Sequence, residues 1–256
     1  MKPIQRQLKI AEMIRRQGEA SVDALAGHFG LSTETIRRDL AQLAETGKIQ
    51  KIHGGARVAR LDSEGSFAER LGRESDAKTA IGETLAGIIQ PGETLFIDTG
   101  STTLAAADRL ARIPGLTIIT NSARLADRLC QFGSDAAIYL LGGRYHEDNA
   151  ETTGPLAIAQ IAAFQADHAV LTVAAVDPEF GVTDASFEEA QVARAMIENA
   201  RNVIILADSS KFGRRAAFSV CKCTNIGALI SDSALGWTHR ELLAEAGVHV
   251  WCGNEQ

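Results

Sequence analysis

Between residues 94 and 251, seven short apolar runs recur: TLFIDTG (94–100), LTIITN (116–121), AIYLLGG (137–143), HAVLTVAAVD (168–177), NVIILAD (202–208), IGALISD (226–232) and VHVW (248–251). Most of the intervening segments, such as LAAADRLA and EEAQVARAMIENA, carry apolar residues at helical spacing. Strands alternating with helices predict an α/β domain with a largely parallel sheet. Several runs are apolar on both faces, as a sheet covered by helices on both sides requires.

In such sheets ligands bind beyond the carboxyl ends of the strands, and there the polar residues gather. The first run ends in Asp98-Thr99-Gly100-Ser101-Thr102-Thr103, the second in Thr120-Asn121-Ser122, and the third in Gly142-Gly143-Arg144. The fourth ends in Asp177 with Gly181 and Thr183 close behind, the fifth in Asp208-Ser209-Ser210-Lys211-Phe212-Gly213. Backbone N–H groups from Gly100 to Thr103, a helix N-terminus and three successive hydroxyls suit a phosphate. Lys211 supplies positive charge for it or for a nearby anion. Asp98, Asn121 and Glu189 are candidates for exchanging hydrogen bonds with sugar hydroxyls. Taken singly, these are also the residues of helix caps and strand-ending turns; five polar strand ends in one sheet favour a small polar ligand. The candidate ligand-binding set is Asp98, Gly100, Ser101, Thr102, Thr103, Thr120, Asn121, Gly142, Gly143, Asp177, Glu189 and Lys211.

The first sixty residues differ in charge. They hold eleven Lys/Arg against six Asp/Glu, about +5; with −6 overall, the rest of the chain stands near −11. A basic head on an acidic body points to nucleic acid. Ile10, Met13 and Ile14 mark a helix over 4–17, ended by Gly18. Ser21 caps a second with Val22, Leu25, Ala26 and Phe29 inside, stopped by Gly30. Ser32 caps a third with Ile36, Leu40 and Leu43 inside, ended by Gly47. Helix, Gly-containing turn, helix is the helix-turn-helix plan, whose second helix enters the major groove. Off its buried stripe lie Thr33, Glu34, Thr35, Arg37 and Arg38, side chains suited to base edges or phosphates. Asp39 reads as structural, holding one of these two arginines by charge. KIQKIHGGARV then predicts a hairpin, making the module a winged helix, with Lys48, Lys51, His53 and Arg57 toward the DNA backbone.

The stretch SVDALAGHFGLSTETIRRDLAQLAETGKIQKIHGGA resembles the signature of the DeoR family of bacterial repressors, in which T-I-R-R-D-L (here Thr35 to Leu40) is followed by H-G-G-A (His53 to Ala56). The resemblance continues through Asp98 to Thr102, Thr120-Asn121, Gly142-Gly143, Gly181 to Thr183, Glu189 with Arg194 to Glu198, and Asp208 to Gly213. The spacing around Met196 to Asn199 and Lys211 is similar to that of glycerol-3-phosphate repressors. The resemblance implies a winged helix-turn-helix over 3–58, a linker over 59–77 in which Phe67 and Arg70 dock, and an effector domain over 78–252. That domain would be similar to ribose-5-phosphate isomerase and sense a sugar phosphate or glycerol phosphate. Ala193 and Ala175 depart from the family pattern, which usually has Lys and often Gly at those places.

The implied function is a transcriptional repressor of a carbohydrate or polyol catabolic operon. Its partners would be double-stranded operator DNA, a phosphorylated sugar or polyol effector, and its own copies in a dimer or tetramer. The alternative is a sugar-phosphate isomerase-like enzyme with an accessory DNA-binding domain. The isomerases that this domain resembles pair acids in a D-G-A-D-like segment, and VAAVDPEFG is a poor match, so no catalytic residue is assigned. Cys221-Lys222-Cys223 lacks the second pair that a metal site requires, so neither metal nor cofactor is expected. No apolar run approaches the ~18–20 residues of a membrane span, and no signal peptide is evident, so a cytoplasmic location is expected.

Overall fold

The computed structural model describes residues 3–45, 49–58, 60–61 and 64–253. The chain divides into two compact units, Met1–Leu61 with Gly213–Arg215, and Asp62–Phe212 with Ala216–Gln256.

The first unit holds helices Pro3–Gln17, Val22–Phe29 and Thr33–Glu45 around a core of Ile10, Ile14, Leu25, Ile36 and Leu40. The second helix starts where the Ser21 hydroxyl accepts from the Ala24 N–H (3.1 Å) and ends at Gly30, which is left-handed at φ 64°. The third starts where the Ser32 hydroxyl accepts from the Thr35 N–H (3.3 Å). The hairpin pairs Ile49–Ile52 with Gly55–Val58 in antiparallel register. Glu19–Ser21, too short for a period-2 signal, adds a third strand, with Ala20 opposite Ala56. That strand explains Gly55, since a Cβ there would collide with the Ala20 carbonyl. The expected helix stop at Gly47, and Lys48, lie outside the described residues.

The second unit is built on a seven-stranded, wholly parallel sheet. Its order is His249–Cys252, Ala228–Ser231, Ala200–Leu206, Ala166–Thr172, Thr94–Ile97, Thr117–Thr120, Ala137–Leu140. All seven expected runs supply one of these strands. Alternate residues enter opposite cores. Leu95, Ile97, Ile118, Val170 and Ile204 pack with helices Ser75–Ile88, Ser101–Leu110 and Ala123–Gln131. Phe96, Ile119, Leu171 and Ile205 pack with helices Pro155–Ile161, Phe187–Glu198 and Trp237–Glu245. Each such side chain contributes about 1.5–3 kcal/mol by burial. Helices Ser75–Ile88 and Ser101–Leu110 pack closely at Gly82, where a Cβ would stand 3.0 Å from the Ala106 Cα.

The fourth apolar run is not one strand. The central strand stops at Thr172, and Ala175–Asp177 pairs instead with Gly181–Asp184 in a separate antiparallel sheet that Phe218–Cys221 completes. Asp177 therefore does not end a strand of the central sheet. Both halves of HAVLTVAAVD are buried, so its apolar pattern runs across the break without a mark. Among the described residues no helix is long and apolar enough to cross a membrane.

Candidate functional site

In the first unit, helix Thr33–Glu45 buries Ile36, Leu40 and Leu43 and turns Glu34, Arg37 and Arg38 outward. Asp39 is buried, and its carboxylate accepts from Arg6 (Nε 2.6 Å, Nη2 3.0 Å) and from the Gln7 amide (3.1 Å). The arginine it holds thus comes from the first helix rather than from the TIRR stretch, and the hydrogen bond to Asp39 raises the Arg6 pKa. Among the described residues neither Arg37 nor Arg38 is tied to another element: Arg37 reaches Thr33 (3.4 Å) and Arg38 approaches Glu34 (3.9 Å), one turn back on the same helix. Thr35 shares a hydrogen bond with Ser32 (2.9 Å). Lys51, His53 and Arg57 are exposed on the hairpin, and Arg57 donates to Gln50 (2.8 Å).

In the second unit, the strand order reverses at Thr94–Ile97. The chain first winds one way to Ala137–Leu140, then resumes on the other side with Ala166–Thr172. The carboxyl ends of these two adjacent strands form the switch point at which open α/β sheets take ligands. Asp98 lies at this point and accepts from the Thr172 N–H at 2.9 and 3.0 Å, bridging the two strand ends. Gly100 follows against the Thr172 side chain, where a Cβ would collide. Helix Ser101–Leu110 then begins with no side-chain cap and no acidic residue in its first turn. Ser101, Thr102 and Thr103 are buried. The Thr103 hydroxyl donates back to the carbonyls of Asp98 (3.2 Å) and Gly100 (3.0 Å), closing the loop. An uncapped helix N-terminus carrying partial positive charge and hydroxyl side chains is an anion cradle.

Beside it lies a polar network that runs across several elements. Asn121 donates to Glu151 (3.3 Å) and to the Thr152 carbonyl (3.1 Å). Asn149 donates to Glu151 (2.9 Å) and Glu189 (3.3 Å), and accepts from Arg70. Arg70 also pairs with Glu64 (3.4 Å), and Lys211 donates to the same glutamate. Burial pushes the Asp98 carboxyl well above the usual carboxylate range against the Thr172 N–H, and Asp184 and Glu189 push it the same way. Burial, then Glu151 and Asp184, carry Glu189 to about 9. Burial raises Glu151 to about 7 although Asn149 donates to it, and Asp184 to about 6 although the Ser186 N–H does. The carboxyl groups of Asp98, Glu151, Asp184 and Glu189 thus all stand above their ordinary values, as acids crowded together out of solvent do. Burial lowers the Lys78 pKa, and its ammonium donates to the Arg70 and Arg73 carbonyls.

The expected residues therefore separate. Asp98, Gly100 to Thr103, Asn121 and Glu189 meet around the switch point, with Lys211 joined to them through Glu64 and Arg70. Thr120 is buried beside Asn121 and accepts from the Ser122 N–H (3.0 Å). Gly142 and Gly143 make a packed turn: the Gly142 N–H donates to Gln160 (3.0 Å), and a Cβ on Gly143 would strike the Thr153 carbonyl. Asp177 accepts from the N–H groups of Glu179 (2.9 Å) and Phe180 (3.2 Å) within its own hairpin. Ala193 and Ala175 lie buried, Ala193 within the apolar core and Ala175 paired with Thr183. Sequence reasoning missed Glu64, Lys78, Asn149, Glu151, Thr172 and Asp184. Only Asp184, after Thr183, stood beside a residue already singled out. Phe67 and Arg70 do dock: the Phe67 N–H donates to Asp148 (2.9 Å), and the Arg70 and Arg124 guanidinium groups lie over its ring.

Residues 6–61 match the DeoR-like helix-turn-helix domain, and residues 73–233 match the DeoR C terminal sensor domain. The chain is 36% identical to the transcriptional repressor AccR of Agrobacterium fabrum, over 89% of each chain. It is 33% identical to the glycerol-3-phosphate regulon repressor of Escherichia coli, over 91% of this chain and 92% of that one. Ribose 5-phosphate isomerase A of Methanocaldococcus jannaschii superimposes with a TM-score of 0.40, at 14% identity over 54% of each chain.

Proposed function

The chain belongs to the DeoR family of transcriptional regulators, and from that premise we propose that it represses a carbohydrate or polyol catabolic operon until a phosphorylated sugar or polyol binds its sensor. It is a DNA-binding transcriptional repressor with a sensor domain. The proposed DNA contacts are Thr33, Glu34, Thr35, Arg37, Arg38, Lys51 and His53, in a domain spanning 3–58 and linked by 59–77 to a sensor over 78–252. The proposed effector contacts are the helix start Gly100 to Thr103 for the phosphate, and Asp98, Asn121 and Glu189 for hydroxyls. Glu151 and Asp184 are added to these, and Lys211 supplies charge. Gly142, Gly143 and Asp177 are reassigned to turns.

The observation that carries this reading is the uncapped, buried start of helix Ser101–Leu110 at the switch point, next to the buried carboxyl groups of Asp98 and Glu151. Two heads on symmetric half-sites make the working form a homo-oligomer in the cytoplasm. The pocket binds its ligand without converting it. A thermal-shift screen of phosphorylated and unphosphorylated sugars and polyols tests this: an effector at ~100 times its Kd adds about 2.7 kcal/mol. A selective hit recovered unchanged from the protein supports a sensor. Conversion of the ester would make the chain an enzyme, and stabilisation by the unphosphorylated compounds alone would remove the phosphate from the reading.

A further inference from the structure

Three cations border the carboxyl network, Arg70, Lys78 and Lys211, and they are not equally available. Lys78 is committed to two backbone carbonyls. Arg70 is held by Asn149 and lies over Phe67. Lys211 differs: its ammonium donates to one side-chain partner among the described residues, the carboxylate of Glu64. That pair is not sealed in the core, since the side chains of Lys211 and Glu64 keep 22% and 14% of their exposure.

Glu64 itself is lightly held. It lies outside regular structure, three residues before the helix Phe67–Gly72, and among the described residues its carboxylate is bound by two side chains, Lys211 and Arg70. The firm anchor of this segment is farther on, where Phe67 is buried and its N–H donates to Asp148. Glu64 can therefore withdraw while Phe67 stays seated.

We propose that Glu64 is an internal occupant of the anion seat at Lys211, and that an anionic effector binds by taking Lys211 from it. The inference rests on the reading of Lys211 as an effector contact and adds a residue and an exchange to it. Two carboxylate or phosphate groups cannot share one ammonium without repulsion, so the free and bound states differ in where Glu64 lies. Glu64 follows Leu61, the last residue of the first unit's continuous stretch, by three positions. A ligand shifts an equilibrium only by its difference in affinity between two states, and the exchange at Lys211 is such a difference.

The experiment titrates full-length wild type, Glu64→Gln, Glu64→Asp and Lys211→Met with inorganic phosphate and with glycerol 3-phosphate by calorimetry. A melting curve for each variant confirms its folding. Glu64→Gln, which keeps the shape and removes the competing charge, is expected to bind at least one of the two anions about fivefold more tightly, the scale of a part-exposed ion pair. Glu64→Asp should stay close to wild type, and Lys211→Met should lose binding. In operator shift assays without effector, Glu64→Gln should move toward the affinity that wild type shows with effector bound. Unchanged or weaker anion binding in folded Glu64→Gln, with Lys211→Met impaired, overturns the exchange and leaves Lys211 in the effector site. Wild-type binding in Lys211→Met overturns both. Absence of binding in wild type and Glu64→Gln alike also overturns the exchange.

Discussion

The two units each hold a helix whose N-terminal turn is proposed to meet a partner, and they prepare it in opposite ways. Helix Thr33–Glu45 begins at Ser32, whose hydroxyl satisfies the Thr35 N–H, and the side chains beyond the cap face outward. Helix Ser101–Leu110 begins at Gly100 with no side-chain cap, and its first turn is buried. In the first, the backbone is satisfied internally and side chains are offered. In the second, no side chain closes the first turn, the feature on which the proposed effector site rests. The difference follows from one residue: a serine before the first turn closes the N-terminus on itself, whereas a glycine leaves it open and admits close approach.

The hardest test of the contrast is Gly100→Val. Its side chain has no space beside Thr172, so the variant is expected to lose effector binding and about 3 kcal/mol of stability, read by calorimetry and thermal melting. Operator affinity measured without effector should survive; a Gly100→Val protein that responds normally to effector would place the ligand elsewhere. Next in size is Arg38→Ala, expected to weaken operator binding by about 2 kcal/mol, or about thirtyfold, in a shift assay, with effector affinity unchanged. Equal operator affinity would assign Arg38 to solvent.

The carboxyl network gives a pH signature that the first unit should not share. An unfolded glutamate titrates near 4.5, whereas Glu189 in the fold holds its proton to about 9. Across that window the folded chain binds a proton that the unfolded chain has released, so the contribution is greatest below 4.5 and is lost as pH rises through about 9. Melting temperature should fall by roughly 5 °C between pH 6 and about pH 7.5 through this linkage. Glu189→Gln, which cannot ionise, should flatten the slope, and an identical slope in that variant would remove Glu189 as its source. The smallest effects contrast the two caps directly. Ser32→Ala should cost about 1 kcal/mol of stability. Ser101→Ala should change stability by less than about 0.5 kcal/mol while weakening effector binding. Reversed stability effects in chemical denaturation would invert the comparison.

The strands of the sensor were legible because a parallel sheet covered on both faces demands unbroken apolar runs, and seven such runs stand in the sequence. The switch-point residues Asp98 to Thr103 were legible for a related reason: the apolar pattern of TLFI ends in a glycine and three hydroxyls. The end at Thr172 was not, since the buried Ala174, Ala175 and Val176 carry the apolar pattern into another sheet. Nor was the rest of the network. Arg70 meets Asn149 across 79 positions, and Lys211 meets Glu64 across 147; such pairs leave no local periodicity. The partner of Asp39 was misplaced similarly, because Arg6 is 33 residues away while Arg37 and Arg38 stand adjacent.

The pairing of Asp39 with Arg6 bears on how such a head can change its target over evolutionary time. It ties the recognition helix to the first helix from the inner side, so the frame does not depend on the outward residues. Among the described residues the polar contacts of Glu34, Arg37 and Arg38 run within their own helix, one turn away, so exchanging them removes no tertiary polar contact there. If these residues read the operator as proposed, a duplicated gene could drift to a new one through them while the scaffold, and the sensor attached to it, stayed as they were.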